Sequence, residues 1–196
     1  YASGANGGWG LANIEEGFYD KYTPGDKRVN VTFADPTPGL STYYIGKWRD
    51  PAATSPDGHT NNFIVYRYSD LLLILAEAAN EVDGPSTESY NAIDLVRNRS
   101  NIGDLSQGLT QDQFRDAVLF ERHLELAFEE HRWFDLKRTG KLQSTITASG
   151  RTWNDRYLLF PTLLLVITGA VTIVFAIIST KPRIIGGGSK NKSGDD

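Results

Sequence analysis

The chain has 196 residues, a formal net charge of −4 and no cysteine. The lack of cysteine excludes disulfides, thiolate metal ligands and cysteine nucleophiles from this stretch of sequence. Its basic residues are scattered among acidic ones, so nucleic acid is not an expected partner. The chain also lacks methionine and does not open on a charged-then-apolar signal region, and we therefore expect a fragment or a processed form.

Residues 1–65 are predicted to form an ordered, loop-rich segment. Residues 22–27 and 35–39 have the composition of turns, because proline sets φ and glycine or aspartate tolerates the conformations that follow. Residues 29–33 and 43–48 have the composition of brief strands. The segment is too rich in aromatic residues to be predicted as a disordered region.

Residues 66–140 are predicted to form a helical core, because their apolar residues recur at spacings of three and four. The first helix, from Tyr66, has a nearly continuous apolar centre, which indicates burial on most sides. The sequence DGP at 83–85 ends it, and Ser86 or Thr87 caps a second helix. The short link between them predicts an antiparallel helical hairpin.

A third helix is predicted to begin at Thr110, because Thr110 and Gln113 have the spacing of a capping box. Its apolar face continues to Phe128, and a final helical turn or two then reaches Gly140, a typical stop signal. Residues 141–161 return to a polar loop. Because helices dominate the core, the predicted fold class is mainly α.

Residues 121–138 carry carboxylates and guanidinium groups about one helical turn apart. Paired carboxylates serve as acid and base in glycoside hydrolysis, but that reaction needs them on opposite sides of a cleft. Here they lie on one helical segment and are matched by arginines. We therefore expect a structural network of ion pairs and no catalytic couple.

No catalytic, metal or cofactor site is predicted elsewhere in the chain. His123 and His131 do not have the spacing of a zinc motif, and His59 is the only other histidine. The glycines near the start of the chain precede no strand-to-helix pattern, and no nucleophile-elbow sequence is present. These observations favour a protein that is not an enzyme.

Three helical motifs resemble the C-terminal half of SusD/RagB proteins. They are RYSDLLLILAEAANE from Arg67, NAIDLVRNRS from Asn91 and FERHLELAFEEHRWFDLKRTGKL from Phe120. The segments GDKRVNVTF, YYIGKWRDP and YLLFP also look like parts of this family's sequence. The resemblance covers about residues 11–161, and the consistent order and spacing of the motifs make it specific.

The resemblance implies tetratricopeptide-like helical hairpins with long ordered loops. It also implies a non-catalytic surface lipoprotein that binds oligosaccharides at the bacterial outer membrane and delivers them to a TonB-dependent, SusC-like transporter. The expected partners are thus that transporter, an oligosaccharide and the membrane. The family's lipid-bearing cysteine and its N-terminal helices would lie before Tyr1.

The residues of these motifs are predicted to pack the helices together and not to contact a ligand. We expect Arg67 to pair with Asp70, and Arg132 to pair with Glu125 and Glu129, as ion pairs between packed helices.

Sugar-binding residues are predicted among the aromatic residues of the loops. Aromatic rings stack on the apolar faces of pyranose rings, while amide, carboxylate and guanidinium groups bind the sugar hydroxyls. For each candidate the alternative is an aromatic residue of the core or of a lid. The candidates are Trp9, Tyr19, Tyr22, Tyr44, Trp48 and Trp153.

Residues 162–180 are a candidate transmembrane helix, because none of the 19 residues is charged and basic residues follow. At 1.5 Å per residue they cover roughly 28 Å, close to the thickness of a bilayer core. The family pattern ends abruptly at Pro161, which favours a shifted reading frame or a fused junction over a genuine span. A buried strand pair around Gly169 is a third alternative.

Residues 181–196 are predicted to be a disordered basic and polar tail. If the span is genuine, an alternative function follows. The chain would then be a membrane-tethered, tetratricopeptide-like module that binds a protein partner and no sugar.

Overall fold

The computed structural model describes residues 14–34, 43–50, 52 and 60–159. The chain divides into two compact units, Tyr1–Thr145 and Ile146–Asp196. The described residues form six α-helices and two short strands, so the predicted mainly α class is confirmed. In chain order these are α1 Val29–Thr32, β1 Phe33–Ala34, β2 Tyr44–Ile45, α2 Tyr68–Asp83, α3 Thr87–Arg99, α4 Gln111–Glu125, α5 His131–Arg138 and α6 Leu142–Ala148. Turns of 3-10 helix lie at Tyr19–Lys21 and Asp155–Leu158.

The hairpin of α2 and α3 is the centre of the first unit, as the sequence predicts. Gly84 ends α2 with a φ of 80°, a left-handed conformation that glycine adopts at little cost. The Ser86 side chain then caps α3 by accepting a hydrogen bond from the Ser89 backbone N–H. The Ser89 side chain in turn accepts one from the Ser86 backbone N–H. The main core lies between α2, α3 and α4. Its largest fully buried apolar side chains are Leu73, Ile93, Val96, Phe114 and Val118.

The predicted capping box begins α4, where the Thr110 side chain accepts from the Gln113 backbone. The helix ends at Glu125, however, and does not continue through Phe128 as the apolar pattern predicts. Phe128 and Glu130 have φ values of 63° and 66°, and backbone in the left-handed region cannot continue a right-handed helix. A five-residue turn therefore separates α4 from α5.

The strand predicted at residues 29–33 is wrong for four of its five residues, because 29–32 form α1. The backbone N–H groups of Val31 and Thr32 both donate to the Arg28 carbonyl, which closes a helical turn. Phe33 and Ala34 then pair antiparallel with Ile45 and Tyr44, so the strand predicted at 43–48 shortens to two residues. The pairing brings Phe33 into a second core cluster with Phe18, Tyr22, Leu124 and Ala127.

The loop predicted at 141–161 contains a helix, α6, and so this prediction is also corrected. Its first residue, Leu142, is buried, and apolar burial stabilises a short helix that its polar composition does not favour. In the second unit, the Trp153 and Tyr157 rings pack edge to face at 5.7 Å.

The predicted span at 162–180 and the predicted tail at 181–196 lie outside the described residues. Among the helices that the structure describes, none combines the length and the apolar character needed to cross a bilayer.

Candidate ligand-binding surface

The turn between α4 and α5, residues 126–130, organises the candidate site. Its two left-handed residues are costly for side chains other than glycine, and surrounding contacts must hold them. Phe128 packs edge to face on Phe18 at 5.7 Å. Glu129 accepts hydrogen bonds from Lys47 Nζ at 2.7 Å and from Arg67 Nε at 2.8 Å. The turn thus directs one aromatic ring and one carboxylate into the protein.

Glu125, the last residue of α4, is a buried carboxylate shared by three arginines. It forms salt bridges with Arg28, Arg67 and Arg99, which lie on three different segments. Burial alone would raise the pKa of the Glu125 carboxyl, but the charge of Arg67 and then that of Arg99 lower it to about 2. The carboxylate is therefore charged at neutral pH and joins α3, α4 and the N-terminus of α2.

A second ion-pair group joins α2, α4 and α5. Arg122 donates to Asp70 at 2.7 Å and to Asp135 at 2.9 Å, and all three side chains are buried. The predicted network of structural ion pairs is therefore confirmed, but the partners predicted for Arg67 and Arg132 are wrong. Asp70 pairs with Arg122 because Arg67 lies before the helix and points to Glu125.

The prediction for Arg132 is also corrected, because Arg132 forms no salt bridge with Glu125 or Glu129. Its Nη1 atom is buried and has no hydrogen-bond partner among the described residues. Burial lowers the pKa of its guanidinium. A buried donor without a partner costs free energy.

A cavity of about 450 Å³, here called the basic cavity, lies beside the Glu125 and Glu129 carboxylates. Five cationic side chains line it: Lys27, Arg28, Lys47, Arg67 and Arg99. Burial lowers the pKa of the Lys47 ammonium, since water no longer solvates its charge, although Glu129 opposes this effect. The lining of the cavity is thus mostly cationic.

A second concavity, here called the aromatic cleft, has a volume of about 540 Å³. Its lining consists of Ile45, Trp48, Leu126, Phe128, Glu130, Arg132, Trp133 and Phe134. The Trp48 indole donates from Nε1 to the Phe128 carbonyl at 2.8 Å, which fixes the ring against the turn. Trp48 also stacks on Phe63, with ring centroids 5.9 Å apart and planes 2° from parallel.

The six aromatic residues predicted as ligand contacts have different surroundings. Trp9 lies outside the described residues. Tyr19 stacks on Tyr43, and Tyr22 is buried and donates to the Leu124 carbonyl. Tyr44 lies in β2, half-buried, and Trp48 lines the aromatic cleft. Trp153 belongs to the second unit, where it donates to Asp155. Their surroundings do not show whether any of them contacts a ligand, so all six remain predictions.

Trp133 and Phe134 line the cleft, but the sequence reasoning did not select them as ligand contacts. The two residues are 39% and 51% exposed, so their rings are accessible to a ligand. The available signal was an adjacent Trp-Phe pair in a short helix of mostly polar and charged residues. Because this motif was predicted to pack the helices together, its aromatic pair was not selected.

The carboxylates that could suggest catalysis are occupied by cations. Glu121 pairs with Arg28 and Arg97, while Glu129 pairs with Lys47 and Arg67. Within the described ranges, no three His, Cys, Asp or Glu side chains are grouped to hold a metal ion.

Comparison with known proteins is consistent with this helical architecture. Residues 38–159 match the sequence profile of the SusD family. SusD-like protein P2 of Formosa agariphila is 36% identical over 108 residues, which are 52% of this chain and 21% of that protein. SusD-like protein P25 of the same organism is 35% identical over 146 residues, or 71% of this chain and 28% of that protein.

Two crystal structures share the fold. A SusD superfamily protein from Parabacteroides distasonis aligns with a TM-score of 0.56 and 28% identity, over 64% of this chain and 31% of that one. Another, from Bacteroides vulgatus, aligns with a TM-score of 0.63 and 24% identity, over 81% of this chain and 39% of that one.

The helical hairpin and the ion-paired α4–α5 turn define a mainly helical protein. The chain belongs to the SusD family. It spans about a quarter of the length of the curated relatives that it matches.

Proposed function

We propose that this chain is part of a non-catalytic protein that binds oligosaccharides at the bacterial outer membrane and delivers them to a TonB-dependent transporter. Membership of the SusD family supports this proposal, because proteins of that family are in general nutrient-uptake proteins that bind glycans. The aromatic cleft is the observation that carries the sugar-binding part.

The cleft has the chemistry that a sugar ring requires. Trp133 and Phe134 present exposed aromatic surface, and Trp48 is held in place by its hydrogen bond to Phe128. Aromatic faces pack against the C–H face of a pyranose, and a volume within roughly 300–1,000 Å³ is typical of ligand sites. A side chain that is already held in place binds a sugar ring with less loss of side-chain entropy.

Polar groups at the cleft supply hydrogen bonds for hydroxyl groups. Glu130 offers carboxylate acceptors, and Arg132 offers a fork of N–H donors.

The paired state of the carboxylates favours binding over catalysis. Glycoside hydrolysis uses two carboxyl groups that flank the scissile bond, and one of them must be protonated near neutral pH. The pKa of Glu125, about 2 because arginines outweigh its burial, is unsuited to a general acid.

The proposal is tested by titrating the 196-residue chain with a panel of neutral and acidic oligosaccharides, with Trp fluorescence and calorimetry as readouts. We expect saturable binding that Trp133→Ala weakens on the order of tenfold, as for the loss of one stacked base or ring. Trp133→Phe should retain most of the affinity, since it keeps an aromatic face.

Phe134→Ala and Phe120→Ala form a matched pair for this test, because both rings are about half exposed and Phe120 lies outside the cleft lining. Only Phe134→Ala should weaken binding. A folded chain that binds no glycan, or equal effects of the two variants, would contradict the proposal.

Delivery to a transporter is tested separately. Co-purification of a tagged chain with its outer-membrane transporter barrel is the expected result. Recovery of the folded chain in the soluble fraction, with no barrel attached, would contradict outer-membrane delivery.

An apolar stripe on α2 favours a second candidate function, a protein-interaction module without sugar binding. Tyr68, Leu71, Leu75 and Val82 are exposed at helical spacings on one face of this helix. Exposed apolar surface of this extent is typical of a contact with another polypeptide. Loss of a partner in Leu71→Gln, with no glycan response in the parent chain, would favour this candidate.

A further inference from the structure

We propose that the basic cavity binds the anionic substituent of a sugar, a carboxylate or a sulfate ester. This inference rests on the proposed sugar-binding function and narrows its ligand class to acidic glycans. The observations that carry it are the charge of the cavity lining, its unused donors and its position beside the aromatic cleft.

The lining of the basic cavity is strongly cationic. It contains five cationic side chains and two carboxylates, Glu125 and Glu129, while Asp26 and Glu121 outside the lining compensate Arg28. Both carboxylates are already shared among cations of the lining, at Arg28, Arg67 and Lys47. An unmatched positive charge in a partly buried space attracts an anion, and attraction there is stronger than at an open surface.

Two of the cations have donors available to a ligand. Arg99 is 56% exposed, and within the described residues its side chain bonds Glu125 only through Nη2. Lys27 is exposed and forms no salt bridge among those residues. Its backbone N–H donates to the Ser100 carbonyl at 3.0 Å, which places Lys27 next to the residue that follows Arg99. Both residues line the basic cavity, so an anionic group there has donors from two side chains in the same space.

The other cations form a fixed base for the cavity. Arg28 is held by Asp26 at 2.6 Å and Glu121 at 2.5 Å, and Arg67 is held by Glu129 at 2.8 Å. Since these side chains are ordered before a ligand arrives, their charge acts on an anion without further loss of side-chain entropy. Val31 and Ile64 add exposed apolar contacts for the ring that bears the anion.

Consecutive residues connect this cavity with the aromatic cleft. Lys47 and Glu129 line the basic cavity, and Trp48 and Glu130 line the cleft. The two concavities therefore lie against the same two short segments, residues 47–48 and 129–130. An acidic unit next to the one in the cleft would enter the basic cavity along these segments.

The test compares four probes on the 196-residue chain: glucuronic acid, glucose, glucose 6-sulfate and inorganic sulfate. Affinities are measured by ligand-observed NMR titration at low and at moderate salt. We expect glucuronic acid and glucose 6-sulfate to bind on the order of tenfold more tightly than glucose, with the advantage reduced by salt.

The Lys27→Gln/Arg99→Gln variant should remove this preference. Lys21→Gln/Arg151→Gln is the matched control, because it removes the same two charges from exposed positions outside the cavity lining and should retain the preference. Lys27→Gln alone provides a milder variant if the double variant unfolds, and it should lose part of the preference.

Three outcomes would overturn the inference. They are equal affinity for glucose and glucuronic acid, equal effects of the cavity variant and its control, and inorganic sulfate binding as tightly as glucose 6-sulfate. If neutral oligosaccharides bind while the acidic preference is missing, this inference fails and the proposed function stands. If no glycan of either kind binds, the proposed function fails as well.

Discussion

Arg67 and Glu129, which are 62 residues apart, form a two-point ion pair. Arg67 donates from Nε to Oε2 at 2.8 Å and from Nη2 to Oε1 at 2.9 Å. Arg67 immediately precedes α2, and Glu129 lies in the turn between α4 and α5. The pair therefore fixes the start of one helix against the end of another. It also places a cation and a carboxylate in the wall of the basic cavity.

Arg67→Ala should lower the free energy of unfolding by about 2 kcal/mol, because the buried Glu125 and Glu129 carboxylates each lose one of their cationic partners. Urea denaturation measures the change. Arg115→Ala is the control, since its exposed pair with Glu81 is screened by solvent and should matter little. Equal losses in the two variants would contradict the role of the Arg67–Glu129 pair.

His123 should make the chain less stable in mild acid. Burial and the nearby charge of Arg132 lower the pKa of its imidazole to about 3, and its ring packs on Phe18 at 4.9 Å. An unfolded histidine binds a proton below about pH 6.5, whereas the folded one does so only near pH 3. The folded state therefore loses stability as pH falls from 6.5 to 3, by up to about 1.4 kcal/mol per pH unit.

His123→Phe keeps an aromatic ring against Phe18 and removes this titration. Its unfolding free energy should depend less on pH than that of the parent chain between pH 3 and 6.5. Glu125 contributes with the same sign. Its pKa is lower in the folded state, so the stability that its charged form provides is lost as pH falls from 4.5 towards 2, and some acid sensitivity remains in the variant. Identical pH profiles for variant and parent would exclude His123 as the cause.

Thr110→Ala should destabilise the chain by about 1 kcal/mol, because the first turn of α4 loses the side-chain acceptor of its capping box. Thr110→Ser keeps the hydroxyl and should retain most of the stability. Thermal unfolding of the two variants separates the cap from a general effect of substitution. A loss in Thr110→Ser as large as that in Thr110→Ala would show that the hydroxyl is unimportant.

Leu73→Ala and Leu71→Ala should differ strongly although the residues lie on the same helix. Leu73 is fully buried, and its truncation should cost about 3 kcal/mol by leaving a cavity. Leu71 is 56% exposed, so its truncation should change the stability of this chain only slightly. Denaturant titration of both variants measures which face of α2 packs on the core. Equal costs would mean that the exposed face is covered in solution.

The three main helices could be predicted because their information is local. Thr110 with Gln113 and Ser86 with Ser89 satisfy helix-start donors within one turn, and Gly84 supplies a positive φ. The end of α4 could not be predicted in the same way. The apolar spacing continues to Phe128, but Lys47 and Arg67 hold Glu129 in a turn that breaks the helix. That choice depends on residues about 60 to 80 positions away.

The six aromatic candidates illustrate a second limit of sequence reasoning. Ring chemistry selected Trp48, which does line the aromatic cleft, but it also selected Tyr22, which is buried against Leu124. It omitted Trp133 and Phe134, whose exposure depends on which side of α5 meets the core. Composition gives the ability to stack on a sugar, whereas the packing of other segments decides which rings stay accessible.

The mainly α class, the starts of α3 and α4, the likeness to the SusD family and the ion pairs of the charged α4–α5 segment could all be predicted from the sequence. Apolar periodicity and helix caps depend on interactions within a few residues. The family likeness rests on sequence motifs. Tertiary structure alone decided that Arg67 pairs with Glu125 and Glu129, and that Arg122 takes Asp70. A buried charge selects its partner by distance in space, because desolvation makes only close, well-oriented pairs favourable.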